Sequence, residues 1–363
     1  MKLNKINMKN LGLTEELIQE STIYTNLFIG RVSSQYKNLY KVLTENGEIS
    51  GEISGKFHYR VKERSEYPAV GDFVMIDRTD DSLGNGMIHH VLTRRSVFSR
   101  KVAGSKEDIQ VVAANIDIVF ICMSLNNDYN LRRLERYLSI AWDSGAIPVI
   151  VLTKSDLCKN IEARFTDISS IAIGVEVLVT TSTSDEGYQP LKKYLSSGKT
   201  VAFIGSSGVG KSTLINCLLG QNRLDTNEIR HDDKGRHTTT RRELILLPSL
   251  GVVIDTPGMR ELGIINANLT KSFADIDQLA SDCRFNDCTH KNEPNCAVQK
   301  AIKEGTLSSE RLESYRKLKK ETKYEGLNSK MIEKEKINEM FSGMGGMKNA
   351  RKFIKEQKRK KGR

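Results

Sequence analysis

Between residues 23 and about 100, apolar positions fall in short β-rich runs parted by Gly, Pro, Asn and Asp, as in "NLYKVLTENGEISGEIS", "EYPAVGDFVMID" and "GMIHHVLTRRSVF". Such runs predict short strands, and Asn46-Gly47 between two of them predicts a type I′ hairpin turn. About five strands in this length fit a small OB-type barrel, an architecture that often receives single-stranded or structured nucleic acid.

The texture changes at about residue 109. "IDIVFICMS" and "IPVIVLTKSDL" are continuous apolar runs, and "NLRRLERYLSIAWDSG" between them repeats Leu131, Leu134, Leu138 and Ala141 at helical spacing. Strand, helix, strand is the expected order. The alternation continues through "EVLVTTST", the helix-like "GYQPLKKYLSS", "TVAFIGSSGVGKSTLINCLLG", "RELILLP" and "GVVIDTPGM". It predicts an α/β fold with a mostly parallel sheet, helices on both faces, and function gathered at the carboxyl ends of the strands. After residue 275 the chain turns polar and helical around a dense Cys/His cluster, and "FSGMGGMKN" reads as a flexible joint. The expected organisation is an N-terminal extension (1–22), a barrel (23–103), an α/β domain (104–272), a helical domain (273–345) and a basic tail (346–363).

Charge sharpens the last of these. The net charge is +11, and the final sixteen residues, "KNARKFIKEQKRKKGR", hold nine Lys or Arg and one Glu, or +8, leaving +3 for the other 347. Such a tail is either a solvated terminus or an arm for a polyanion. The apolar runs are too short to cross a bilayer and the start has no signal-peptide core, so a cytoplasmic protein with no membrane partner is expected. Of the six cysteines, Cys122, Cys158 and Cys217 are scattered singly and read as reduced thiols.

"GSSGVGKS" follows the apolar strand "TVAFI" and enters the helix "STLINCLL", the setting a phosphate loop requires. Gly205, Ser206, Ser207, Gly208, Val209 and Gly210 would wrap backbone N–H groups around phosphates, Lys211 would reach the β and γ phosphates, and Ser212, followed by Thr213, would offer its hydroxyl to Mg²⁺. "DTPG" ends a later strand, where Asp255 can hold the Mg²⁺ shell and Gly258 can sense the γ-phosphate. Between them, "KGRHTTTRREL" can supply a switch threonine to Mg²⁺, with Thr239 the candidate among Thr238, Thr239 and Thr240. In "TKSD", Thr153 to Asp156, the carboxylate of Asp156 can accept both donors of the guanine edge, Lys154 can lie along the base, and Ser155 sits between them. "TTST" ends the next strand, where Thr181 and Ser182 can bring a backbone N–H to the guanine O6.

The base loop precedes the phosphate loop, the reverse of small GTPases. A circular permutation accounts for this, because loops keep their places in space when nearby old termini are joined. A third constellation, "CRFNDCTHKNEPNC", places Cys283, Cys288, His290 and Cys296 in the pattern C-x4-C-x-H-x5-C, a four-ligand structural Zn²⁺ site with no position left for catalytic water.

With these residues in hand the chain resembles the bacterial small-subunit-dependent GTPases known as RsgA, from about Gly30 to Tyr315: "SRKVAG", "QVVAANID", TKSD before GSSGVGKS, "GRHTTT", DTPGM and the Cys-Cys-His-Cys cluster. The resemblance implies an OB barrel, a circularly permuted P-loop GTPase domain and a zinc-bearing helical domain. It implies GTP hydrolysis to GDP in late maturation of the 30S subunit, stimulated by that subunit. It implies 16S rRNA as partner, with no DNA partner and a monomeric state expected. Met259 stands where many GTPases place a water-orienting Gln, and by the resemblance His237 takes that catalytic role beside Lys211. Thr153 replaces the Asn of the usual NKxD, removing an amide that braces the base. On the residues alone two other readings stay open: an assembly factor for another ribonucleoprotein, or an RNA-binding protein that hydrolyses little. Retention of Lys211, Ser212 and Asp255 weighs against the second.

Overall fold

The computed structural model describes residues 5–36, 39–101, 109–224, 242–248, 251–255 and 269–323. Strands β1 (Phe28–Gln35), β2 (Tyr40–Thr44), β3 (Gly47–Ile53), β4 (Phe73–Ile76) and β5 (Gly86–Val91) close into a barrel in the order β1-β2-β3-β5-β4 and back to β1. Only the β3–β5 contact is parallel. This is the OB-like closed barrel that the strand pattern predicts, and it is filled by Val32, Val42, Ile49, Val74, Ile76 and Ile88. Closure leaves no strand edge within the barrel wall.

The β2–β3 turn differs from expectation. Thr44 pairs with Gly47, so the loop is Glu45–Asn46, and Asn46 is not among the residues with positive φ. A type I′ turn needs positive φ at both central positions and is ruled out. Side chains fix the turn instead: the Thr44 hydroxyl donates to Gly47 O (3.0 Å) and Thr79 O (2.8 Å), and Asn46 Nδ2 donates to Thr79 Oγ1 at 2.7 Å.

A short segment packs ahead of the barrel. A 3₁₀ turn, Met8–Leu11, and a helix, Glu15–Ser21, bury Leu11 and Leu17. Arg31, fully buried in β1, ties this segment to its neighbours, donating to the carbonyls of Leu11, Gly71 (3.2 Å) and Asn115 (3.3 Å).

Beyond the barrel, β6 (Val97–Lys101) pairs with β7 (Ile109–Ala114) as a separate ribbon. The larger sheet then takes β8 (Ile118–Ser124), β9 (Ile147–Thr153), β10 (Glu176–Val179), β11 (Thr200–Ile204), β12 (Glu243–Leu246) and β13 (Val252–Asp255) in the order β10-β9-β8-β11-β13-β12. All neighbours are parallel except β12, which runs against β13 and meets the barrel through Ser34 and Glu243. The central strands are buried on both faces, which is why β8 and β11 read as continuous apolar runs.

One face packs under the helices Gln189–Lys192 and Lys211–Leu219. The helix-like "GYQPLKKYLSS" is shorter than its length suggests, a 3₁₀ turn at Asp185–Tyr188 and then one turn of helix with Pro190 in its first positions. The other face packs under the helix Leu131–Ser144, with Leu134, Leu138 and Ala141 buried as the spacing predicts. Phe273, Ile276, Val298, Leu312 and Tyr315 of the C-terminal helices join the same apolar cluster, so that region shares a core with the sheet. No helix among the described residues is long and apolar enough to cross a membrane.

Candidate nucleotide site and metal centre

Strands β9, β11 and β13 end at the same edge of the sheet, and each delivers one expected loop: Thr153–Asp156, Gly205–Gly210 and Asp255. After β11 the chain turns at Gly205 (φ 149°), where a Cβ would stand 2.4 Å from Cys122 O. At Gly210 (φ 99°) a left-handed residue launches the helix Lys211–Leu219, so both glycines are required by the path of the loop. Lys211 Nζ donates to Gly205 O (2.9 Å) and Ser206 O (2.7 Å), which holds the ammonium over the loop. Ser207, Gly208 and Val209 complete the turn, and Ser212 and Thr213 follow in the first turn of the helix.

The base loop leaves β9 through Lys154, which is left-handed (φ 57°). Thr153 Oγ1 donates to Val209 O at 2.5 Å, tying the base loop to the phosphate loop across fifty-six residues. A hydroxyl at this position thus braces the base loop against the phosphate loop. Ser155 N donates to Thr180 O (3.2 Å), and Asp156 Oδ1 accepts from Thr181 Oγ1 (2.6 Å), so the β10 loop orients the exposed carboxylate. The backbone N–H of Thr181 is turned inward onto Gly187 O (3.1 Å), which leaves Ser182 as the member of that pair able to meet the base.

Asp255 is 6% exposed at the end of β13. Burial raises its pKa above the ordinary carboxylate value, and Lys211 opposes that shift. His237, Thr239 and Gly258 lie outside the described residues.

The four cluster residues do converge: one ligand atom from each of Cys283, Cys288, His290 and Cys296 lies within 4.8 Å of the others. Cys283 Sγ and Cys296 Sγ are 3.8 Å apart, and His290 Nδ1 lies 3.6 and 3.5 Å from them. Tetrahedral bonds of about 2.3 Å to sulfur and about 2.0 Å to nitrogen give edges of about 3.8 and 3.5 Å, so these three atoms already stand at zinc-site spacing. Left-handed His290 and Asn295 (both φ 59°) make the tight path possible, and Glu293 accepts from the N–H groups of Thr289 (3.0 Å), Lys291 (2.8 Å) and Asn292 (3.0 Å). His290 O accepts from Gln299 and Arg316. Three thiols and an imidazole suit a borderline-soft ion and fill a tetrahedron.

Sequence reasoning missed the groups behind the phosphate loop. Ser206 Oγ donates to Asp128, and Arg133 Nη1 donates to both oxygens of Asp128 (2.7 and 2.8 Å) and to Ser206 Oγ (2.9 Å). The same helix also binds the C-terminal region: Glu135, 1% exposed, accepts from Arg132 of its own helix and from Arg311, and Arg311 donates twice to Asp275. A Glu four residues after Leu131, on the stripe that faces the core, was the available signal.

Comparison with known proteins gives the following. The family model described as RsgA GTPase matches residues 91–265. An ABC transporter model matches residues 188–355, a span that includes the phosphate loop common to both kinds of nucleotide protein but not the base loop at 153–156. A protein of Lactiplantibacillus plantarum named small ribosomal subunit biogenesis GTPase RsgA 2 is 48% identical over 95% of this chain and 98% of its own length. One of Methanosarcina acetivorans named small ribosomal subunit biogenesis GTPase RsgA is 43% identical over 94% of this chain and 93% of its own. Among solved structures, YjeQ from Thermotoga maritima superposes with a TM-score of 0.60 at 27% identity, covering 82% of this chain and 98% of that one. YloQ, described as a circularly permuted GTPase, superposes at 0.58 and 23% identity over 83% of this chain and 96% of its own, and shows the likeness of fold.

Proposed function

The chain belongs to the RsgA family of GTPases, and from that premise we propose that it hydrolyses GTP to GDP and phosphate in late maturation of the 30S ribosomal subunit, bound to the subunit through 16S rRNA and released when the nucleotide changes. The observation that carries the proposal is the meeting of the base loop and the phosphate loop through Thr153 and Val209. A guanine-reading carboxylate and a triphosphate cradle are thereby held in one site.

In this reading Asp156 accepts from the guanine edge, with Lys154 along the base, Ser155 beside it and Ser182 toward the O6. The loop N–H groups from Gly205 to Gly210 and the ammonium of Lys211 hold the β and γ phosphates. Ser212, Asp255 and a switch threonine, Thr239, hold Mg²⁺, whose chemistry is to neutralise charge on the phosphates. His237 positions the attacking water, and Gly258 senses the γ-phosphate. Cys283, Cys288, His290 and Cys296 hold one structural Zn²⁺. The protein works as a monomer in the cytoplasm, and the basic tail adds contacts to rRNA phosphates, so binding to the subunit weakens as salt rises.

GTP turnover measured with and without purified 30S subunits tests the core of this. Turnover should rise with the subunit and fall in His237→Ala, whose nucleotide affinity should stay unchanged. Turnover indifferent to the subunit would remove the ribosomal part of the reading.

A further inference from the structure

Asp128 and Arg133 belong to none of the nucleotide motifs, yet they grip a residue of the phosphate loop. Asp128 lies in the connection after β8, and Arg133 lies in the first turn of the helix Leu131–Ser144, whose N-cap Asn130 accepts from Arg133 N at 3.0 Å. Their target, Ser206, is 6% exposed and has two ends engaged. Its hydroxyl meets Asp128 and Arg133 Nη1, and its carbonyl accepts a hydrogen bond from Lys211 Nζ at 2.7 Å. The position of the helix is thus passed through one peptide unit to the ammonium that would face the phosphates.

We propose that Asp128 and Arg133 are positioning residues for Lys211, acting through Ser206, so that the phosphate loop presents its ammonium in a fixed place before nucleotide arrives. The proposal rests on the nucleotide-site reading above. A carboxylate beside a loop built for phosphates would by itself repel the ligand, and Arg133 answers both of its oxygens. What remains is a rigid acceptor for the Ser206 hydroxyl. Fixing the ammonium in advance removes part of the ordering cost of binding.

The test is a double-mutant cycle on binding of a fluorescent GDP to the full-length protein, carried to millimolar protein or nucleotide where needed. Arg133→Met and Ser206→Ala should each weaken binding roughly tenfold, the scale of a lost hydrogen bond to a charged group. In a Lys211→Ala background neither should weaken it further, because the group they position is gone. Arg133→Lys should restore most of the affinity, since a single nitrogen makes all three contacts. Asp128→Ala separates positioning from charge: removal of a negative charge alone would tighten GDP binding, whereas loss of the acceptor should weaken it. Unfolding midpoints of all variants, taken without nucleotide, serve as the control for folding.

Unchanged affinity in Arg133→Met, an equal loss in both backgrounds, or tighter binding in Asp128→Ala would overturn the proposal while leaving the nucleotide site in place. Equal affinity of the unmodified protein and Lys211→Ala would overturn the nucleotide site, and the proposal with it.

Discussion

The four ligands of the metal cluster come from fourteen consecutive residues, Cys283 to Cys296, whereas the nucleotide loops come from the ends of three strands spread over residues 153–255. Cys296 reaches the shared core, but between Cys283 and Cys296 the chain buries no large apolar side chain, and Phe285 is exposed. The path of this segment is set by two left-handed residues and by short-range bonds from Glu293, and converging thiolates repel one another without a cation between them. The nucleotide loops stand on β9, β11 and β13, whose residues are almost all buried in apolar clusters. The described loops at Thr153–Asp156 and Gly205–Gly210 are therefore anchored by the fold itself. With zinc bound as proposed, the first site would contribute to folding, whereas the second draws on a fold that already exists.

The largest effect should come from the metal. Structural zinc contributes about 10 kcal/mol or more in small zinc-dependent folds, so chelation or Cys288→Ser should unfold the segment 269–323 locally, read as rapid proteolysis or hydrogen exchange there. Guanine-nucleotide binding should survive in weakened form. Metal analysis of the purified protein should find one zinc per chain, and its absence under reducing, chelator-free conditions would erase the contrast.

Next in size is the seam between the two regions. Arg311 has 5% of its side chain exposed and joins Glu135 (3.0 Å) to Asp275 (2.6 and 2.7 Å). Arg311→Met takes one of two cations from the buried Glu135, which keeps Arg132, and leaves the partly buried Asp275 without Arg311, so it should cost about 3 kcal/mol in chemical denaturation, the low end for breaking a buried pair. If it costs nothing, the C-terminal helices do not depend on the sheet and the two sites are independent.

How far each region could be read from sequence follows from the same distinction. The cysteine spacing and the glycine pattern of the phosphate loop are local signals; the four cluster residues converge within 4.8 Å, and the glycine loop turns at Gly210 into the helix Lys211–Leu219. The closed barrel and parallel sheet were legible from strand period and run length. Contacts between distant residues were not: Arg133 reaches Ser206 across seventy-three residues and Arg311 reaches Glu135 across 176. Nothing local distinguishes such an arginine from a solvated one on a helix surface. The helix Glu15–Ser21 was legible in principle, since Thr14 caps it and Glu15 and Glu16 follow in its first turn. The Asn46-Gly47 signal misled because Thr44 and Thr79 supply side-chain bonds that a two-residue motif does not reveal.

Within the nucleotide site, losses should fall on binding and spare the fold. Lys211→Ala should weaken GTP and GDP binding on the order of a hundredfold, the loss of a charge-assisted contact to phosphate. Asp156→Asn should narrow the preference for GTP over ATP by roughly tenfold or more, because the guanine donors lose their ionised acceptor. Asp255→Asn sharpens the contrast further. Its carboxyl is buried and its pKa raised, so ionisation is opposed in the folded protein; stability held while the group is protonated is lost as pH rises through that raised pKa. Replacement by neutral Asn should leave the nucleotide-free protein as stable or more so at pH 7, while removing the response of binding to Mg²⁺.

The smallest effect, and the finest cut, is at Thr153. Its hydroxyl donates to Val209 O at 2.5 Å from a buried position, so Thr153→Val keeps the side-chain shape and leaves one loop carbonyl without that donor. An unmade buried hydrogen bond costs about 1–3 kcal/mol where the structure cannot relax and less where the acceptor finds another partner. Val209 is buried but lies between exposed Gly208 and half-buried Gly210, where the loop can relax, so about 1 kcal/mol is expected, or roughly a fivefold loss of affinity shared equally by GTP and GDP. The preference for guanine over adenine should hold, since Asp156 and its partner Thr181 are untouched. Thr153→Asn should recover the bond through its amide. Titration of fluorescent GTP, GDP and ATP with the three proteins reads all of this, and a melting midpoint for Thr153→Val displaced as far as that of Cys288→Ser would mean that the nucleotide loops, like the metal loop, are part of what holds the chain folded.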